Sequence, residues 1–320
     1  MGENAWNGLL CVNKEAGYTS NDVVAKLRGI LKQRKIGHTG TLDPEAVGVL
    51  VVCLGNATRV VDLMTEHDKE YIAVVQLGVV TDTQDMTGEV LERRPCDDVT
   101  HERLLEALQA FKGGYDQVPP MYSAVKVNGE RLYKLARAGK PVERAPRHVG
   151  IEAISILDEQ ALAADHVFTM MVRCSKGTYI RTLCHDIGER LGCGAAMAGL
   201  VRTALGSFKL EQALTLAEIE AARDDGSLAD HILSVESIFR DLDRIDVDDA
   251  YRKQMENGNT FGPDRVVSQA PADEQDVLTE EEIYRDGERV RAYCGGTWFG
   301  IYRYSAAMKR FQVEKFFFNS

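Results

Sequence analysis

Residues 37–44 read Gly-His-Thr-Gly-Thr-Leu-Asp-Pro, and almost at once comes Val47–Leu54, a near-continuous apolar run of buried-strand length. This pairing restricts the local fold. The glycines open backbone conformations closed to other residues, whereas Pro44 fixes its own φ and pushes Asp43 towards an extended conformation. A carboxylate held rigidly at such a bend, beside an adaptable polar loop, suits nucleophilic or acid–base chemistry. By itself an Asp-Pro step is more often an Asx-type turn, in which the aspartate bonds only its own backbone. The rest of the chain decides between the two.

Periodicity predicts strands over Gly8–Val12, Val47–Leu54, Tyr71–Gln76, Tyr122–Val127, Ile151–Leu157 and Phe168–Cys174. Helices are expected over Asn21–Leu31 (with Ser20 or Thr19 as N-cap), Leu104–Phe111, Arg131–Ala138 and Tyr179–Leu191. Two short acidic helices follow, Leu216–Ala222 and Ile232–Ile238. Gly78–Gly88 is rich in turn residues, and Asn128-Gly129 is a strong turn signal. A boundary falls near Asp241–Asp249. Beyond it, short strands at Val290–Cys294, Thr297–Ile301 and Phe311–Phe317 suggest a small β-rich module, with Asp264–Glu282 an acidic loop. This irregular order favours an α+β fold over a regular βαβ winding.

At 320 residues, 44% apolar and 27% charged, the chain has the makings of one large globular domain and a small one. No apolar run approaches the ~20 residues that span a bilayer. Residues 1–6 lack the basic and apolar regions of a signal peptide and fit the myristoylation pattern poorly, so a cytoplasmic protein is expected. The seven cysteines are scattered without a Cys-x-x-Cys pair, and several lie in strand-like runs, which reads as buried thiols rather than a zinc site. The histidines show no ligand spacing, so no metal is indicated. The net charge of −11 is concentrated: residues 211–290 carry −14, leaving +3 elsewhere, and residues 120–147 carry +5. Such a basic strip can track a phosphate backbone, because binding follows local charge.

Four further segments put useful side chains in loop-like settings: Asn13–Ser20 with Lys14, Lys69–Ala73 with Tyr71, Tyr122–Lys126, and Ser175–Leu183 with Lys176, Tyr179 and Arg181. Lys14 and its neighbouring hydroxyls precede a helix N-terminus, where backbone N–H groups attract anions. Each segment is weak alone. In order, the stretches NKEAGYTS, GHTGTLDP, KEYIAVVQLG, TDTQDMTG, PPMYSAVKVNGERLYKLAR and CSKGTYIRTLCHDIGERLG, then Leu200 with Val201-Arg202-Thr203, make a specific signal. The chain resembles the bacterial tRNA pseudouridine synthase B family over most of residues 8–210. It departs at Glu15, where proline is frequent, and at Glu45-Ala46-Val47, which replaces a commoner Leu-Ala-Thr/Ser.

The resemblance implies a mixed, largely antiparallel sheet with flanking helices, the pseudouridine synthase fold, over residues 1–245. Residues 246–320 would form a small RNA-binding module of the PUA type. It implies isomerisation of uridine 55 in the tRNA T-arm without a cofactor. Asp43 would be the essential nucleophile or base and Arg181 its ion-pair partner. Tyr71 would stack on the target base and help remove the C5 proton, Tyr179 and Leu200 would line the uracil pocket, and His38 would fill the place of the flipped base. Lys14 and Lys176 would serve phosphate or structural roles. The expected partner is the tRNA T-arm stem-loop, with no membrane, no obligate protein partner and a monomeric state. Three other readings are open on the residues. Gly37–Gly40 fits the GXXG loop of a KH domain, Asp43 with Asp82 or Asp85 would suit a glycosidase, and the same fold could serve chiefly as a tRNA-folding chaperone.

Overall fold

The computed structural model describes residues 6–123, 125–127, 129–140, 142–270 and 284–318. Nine strands form the main sheet: β1 (Gly8–Lys14), β2 (Ile36–His38), β3 (Val47–Leu54), β4 (Lys69–Leu77), β5 (Ile151–Asp158), β6 (Val167–Cys174), β7 (Ala195–Leu205), β8 (Phe208–Lys209) and β9 (Ile232–Leu233). Their order is β5-β6-β4-β7-β3-β1-β9, with β2 added to β3 and β8 to β7. Every pairing is antiparallel except β7 with β3. Four helices of nine or more residues pack on it: α1 (Ser20–Leu31), α2 (His101–Gln109), α3 (Ile180–Leu191) and α4 (Leu216–Asp225). The sheet is mixed and largely antiparallel, as the α+β expectation requires.

Sequence periodicity explains the layering. On β4 the residues Lys69, Tyr71, Ala73, Val75 and Leu77 are buried and alternate with half-buried neighbours, which is the period of a strand with one packed face. Ala73, Val75, Phe168, Met170 and Val172 join Leu104, Leu108, Ile180, Leu183 and Ile187 in one core beneath α2 and α3. On β1 and β3 both faces are buried, so those strands read as apolar runs rather than alternations. Leu10, Val12, Leu50 and Val52 face α1 and α4, whereas Leu9, Val49, Val51 and Cys53 face Phe208, Phe239, Ile301 and Phe317.

A second, five-stranded sheet contains β10 (Asp243–Val247), β11 (Val266–Ala270), β12 (Arg289–Cys294), β13 (Thr297–Ser305) and β14 (Arg310–Phe316), in the order β11-β10-β12-β13-β14. It closes over its own core of Ile245, Val247, Phe261, Val290, Phe299, Tyr302 and Phe311. Strand β10 pairs along its whole length with β12, so the second sheet begins at Asp243.

Three expectations change. Ile232–Ile238 is not a helix: Ile232 and Leu233 pair with Leu10 and Leu9 on the open edge of β1, and Val235–Phe239 forms a 3-10 turn. Tyr122–Val127 is not a continuous strand. Two prolines before it supply no N–H, and among the described residues of the segment only Lys126–Val127 pairs, with Glu130–Arg131. The segment after Asp264 begins as β11 rather than as loop. Asn128 of the expected turn and residues 271–283 of the acidic segment lie outside the described residues.

Candidate active site

The site grows from a fork in the sheet. One edge of β3 is shared by two strands: β2 pairs with its end at Val52–Leu54, and β7 with its start at Val47–Gly48. Gly48 permits the second approach. It has φ +100°, and a Cβ there would fall 2.3 Å from the Arg202 carbonyl oxygen. The segment 39–46 emerges between β2 and β3, over the fork.

The backbone of that segment is tied at several points. Thr39 N donates to Val51 O at 3.0 Å, and Leu42 N donates to the Ser20 hydroxyl at 2.9 Å. Gly17 N donates to Pro44 O at 3.0 Å, and Ala46 N closes a turn onto Asp43 O at 3.1 Å. Lys14 is fully buried, and its ammonium donates to Glu15 O, Pro44 O and Ala46 O at 2.9, 2.8 and 2.6 Å. Three carbonyls use the three donors of an ammonium, so Lys14 clamps the bend and has none left for phosphate. Burial pulls its pKa down, opposed by the charges of Glu45 and Asp43.

Asp43 is thereby fixed with its carboxylate off its own backbone and on Arg181. The guanidinium grips it side-on, Nε to Oδ2 at 2.9 Å and Nη2 to Oδ1 at 3.3 Å. Arg181 sits in the first turn of α3 with its side chain 7% exposed, against 39% for Asp43. Its remaining donors reach Thr83 O at 3.1 Å and Tyr122 O at 3.0 Å, and Asp85 Oδ2 lies 3.7 Å from Nη1. A fully engaged fork cannot swing, so the carboxylate is presented from a fixed support.

Strand register places the other candidates. Tyr71 on β4 lies opposite Arg202 on β7, and Leu200, one inward-facing step away, lies opposite Ala73. Tyr71 and Leu200 are both buried. Burial raises the Tyr71 phenol pKa, while the charge of Arg202 acts in the opposite direction. Tyr179 is the N-cap of α3. His38 ends β2, and its Nδ1 accepts from Gly40 N at 3.4 Å. Burial, then the Arg202 charge, depress its pKa. Lys176 stands apart from this group, exposed and ion-paired with Glu66.

Three contributors have no part in the synthase site as read from the sequence, which offered Asp85 only as a glycosidase's second carboxylate. Asp85 serves as second carboxylate to Arg181, its Oδ1 accepting from Thr83 Oγ1, Thr87 N and Thr87 Oγ1 at 2.7, 3.0 and 2.6 Å. Gln117 is buried and binds both backbone groups of Tyr179, donating to its C=O at 3.0 Å and accepting from its N–H at 2.8 Å, which seats the start of α3. Arg202, 1% exposed, fills the fork, donating to Val49 O at 2.6 Å and Gly40 O at 3.2 Å. The Val201-Arg202-Thr203 step carried Arg202 into the resemblance but gave it no role. Gln117 carried none, and Asp85 stood in the TDTQDMTG stretch without a link to Arg181.

The geometry removes two rival readings. Gly37–Gly40 ends strand β2 and leads to β3, rather than lying between the helices a KH loop requires. Asp85 is committed to Arg181, and Asp82 accepts from Glu89 N at 2.8 Å and Tyr122 OH at 3.3 Å, so neither is the free second acid of a glycosidase.

Comparison with known proteins agrees with this architecture. Residues 28–180 match the model of the TruB family pseudouridylate synthase N-terminal domain, and residues 181–240 that of the tRNA pseudouridylate synthase B C-terminal domain. The chain is 48% identical to tRNA pseudouridine synthase B of Lachnoclostridium phytofermentans, covering 97% of this chain and 99% of that protein. It is 43% identical to the protein of that name from Bacillus subtilis, over 86% and 90% of the two. A chain from the crystal structure of a Cbf5–Nop10–Gar1 complex superposes with a TM-score of 0.71 at 26% identity, over 97% of this chain and 85% of that one. A chain from an H/ACA ribonucleoprotein bound to a substrate RNA has the same fold, with a TM-score of 0.70 at 24% identity over 98% and 85%. With its fold and these relatives in agreement, the chain belongs to the TruB family of pseudouridylate synthases.

Proposed function

We propose that this protein isomerises uridine to pseudouridine in tRNA, at position 55 of the T-arm, with Asp43 as the essential nucleophile or base. The observation that carries the reading is the Asp43 carboxylate, fixed at the bend and gripped side-on by the buried Arg181. The target base is inaccessible inside the RNA stack, so it is flipped out, and His38 fills the space it leaves. Tyr71 stacks on the uracil, with Tyr179 and Leu200 lining its pocket. The N1–C1′ bond breaks, the ring turns, and C5 bonds to C1′ while Tyr71 helps remove the C5 proton. The relatives are named as tRNA pseudouridine synthases, which favours the enzyme over a folding chaperone of the same fold.

Residues 126–147 contact T-arm phosphates, the module beginning at Asp243 reaches towards the acceptor stem as a PUA-type unit, and the acidic stretch 211–290 faces away from RNA. The protein works as a monomer in the cytoplasm, without an obligate protein partner or a cofactor. Among the described residues no helix is long and apolar enough to cross a membrane. The test is a tRNA transcript incubated with the protein and mapped by carbodiimide-blocked reverse transcription. A new stop at uridine 55 alone supports the reading, and an unchanged transcript rejects it. Charge reversal at acidic positions in 211–240 tests the orientation. An affinity loss as large as that from reversing Arg131 and Lys134 contradicts it.

A further inference from the structure

Arg202 is a buried cation without a carboxylate partner. Among the described residues its guanidinium lies in no ion pair. Its hydrogen-bond partners are the carbonyls of Val49 and Gly40, and across the pairing of β4 with β7 it lies directly opposite the buried Tyr71, whose ionised phenol its charge favours. Its charged surroundings are mostly like-charged. Lys14 of β1 and Lys69 of β4 act on it as cations, and both are buried. His38 of β2 and Cys11 of β1 also feel its charge. Tyr71 is faced by Arg202 from β7, Cys174 from β6 and Asp43 from the bend. Arginine does not deprotonate in proteins, and an uncompensated buried charge is costly. Carbonyl dipoles at the fork account for part of Arg202 but not for a full charge set against a phenol.

We propose that Arg202 is a positioning residue for the reaction: fixed by the fork opposite Tyr71, it keeps a positive charge already in place on that side of the phenol, so that negative charge on the Tyr71 oxygen is met while the C5 proton moves. This rests on the isomerase reading above. The C5–H bond breaks, its proton goes to the Tyr71 oxygen, and its electron pair returns to the uracil ring. The hydroxyl proton that Tyr71 held at the outset leaves to solvent before this step, and ring nitrogen N1, which lost its carbon partner when the glycosidic bond moved, takes a proton back from solvent. Tyr71 ends neutral, as it began. A preorganised charge at the oxygen where charge develops is the form of electrostatic help that requires no rearrangement during the step.

The experiment is single-turnover release of tritium from uracil C5 of a T-arm hairpin, across about pH 6 to 9.5, for wild type, Arg202→Met and Arg202→Lys. Removing the charge in the methionine variant slows release by about 100-fold at neutral pH, leaves hairpin affinity nearly unchanged, and moves the rate's rise with pH to more alkaline values. The lysine variant, which keeps the charge, recovers at least about tenfold of that loss with a profile near that of wild type. A purely structural plug of the fork predicts otherwise: equal losses in both variants, uniform across pH, and that result overturns the proposal. So does a methionine variant with the wild-type rate. Should the methionine variant lose hairpin binding, the lysine variant decides alone, since an unshifted profile within about tenfold of wild type supports the proposal and a larger loss overturns it. If the wild type itself releases no tritium, the isomerase reading fails and this inference with it.

Discussion

A single arginine fork sets the orientation of the carboxylate. Arg181 spends two N–H groups on Asp43 and the rest on Thr83 O, Tyr122 O and the flank of Asp85, so three separate segments of chain depend on its planar shape. Lysine keeps the charge but loses the fork, and a point charge on a flexible stem cannot hold a carboxylate in one plane. Arg181→Lys is therefore expected to lower turnover by at least about 100-fold while hairpin affinity changes little. Steady-state kinetics beside filter binding checks the split. His38 gives a second prediction at this scale. Burial and the Arg202 charge depress its pKa, so it is neutral at pH 7 and cannot act as a phosphate-binding cation. His38→Gln should leave the salt dependence of hairpin binding unchanged at pH 7.5, because the slope counts only cations that displace counter-ions. A shallower slope in the variant would show a charged histidine.

At the scale of elements, the start of α3 is seated from outside the helix. Gln117 binds both backbone groups of Tyr179 and donates to Tyr115 OH at 2.6 Å, which in turn donates to Asp186 Oδ2 at 2.8 Å on the next turn of α3. Burial raises the Asp186 pKa, with the Tyr115 hydrogen bond opposing it. The folded state then holds this proton more tightly than the unfolded chain does. Its contribution to stability is complete below the ordinary carboxylate range and is lost as pH rises through the raised value. Asp186→Asn keeps an acceptor for Tyr115 but carries no charge. Its melting temperature relative to wild type should climb between about pH 4 and pH 8, and a constant difference would contradict this assignment.

Elements of this kind differ in how plainly their sequences announce them. Strand β4 alternates cleanly, and β3 is an unbroken apolar run, so both were legible. The central strand β7 was not. Its residues AAMAGLVRTAL include small side chains and an arginine, and its register shifts at Met197/Gly199 and Arg202/Ala204 break the period of two. Asp43 was legible because a Pro-fixed bend is a local feature. Arg202 was not, because its carbonyl partners lie 153 and 162 residues away, and a charge in sequence reads as a charge in water. Ile232–Ile238 misled for a related reason: its apolar spacing fits a helix, but the open edge of β1 captures its first two residues.

The whole molecule joins two sheets through one apolar seam. Trp298 stacks on Phe317 with ring centroids 4.8 Å apart, and Phe239 lies 6.3 Å from each ring, beneath the face of β1 and β3. Polar ties flank the seam: Arg59 Nη1 donates to Phe316 O at 2.6 Å and Lys315 Nζ meets Asp62 Oδ2 at 2.7 Å. The C-terminal module thus covers a core surface of the catalytic sheet. Phe317→Ala should cost about 3 kcal/mol in a denaturant melt, and a change within error would mean that the seam contributes little. The account as a whole rests on Asp43, whose bend Lys14 clamps at Pro44 O and Ala46 O and whose carboxylate Arg181 grips. Its most direct test compares wild type and Asp43→Asn on a T-arm hairpin carrying tritium at uracil C5, with hairpin affinity measured in parallel. Tritium release by the wild type and none by the variant, at matched affinity, is the expected result. Release by the variant at the wild-type rate would contradict the central claim.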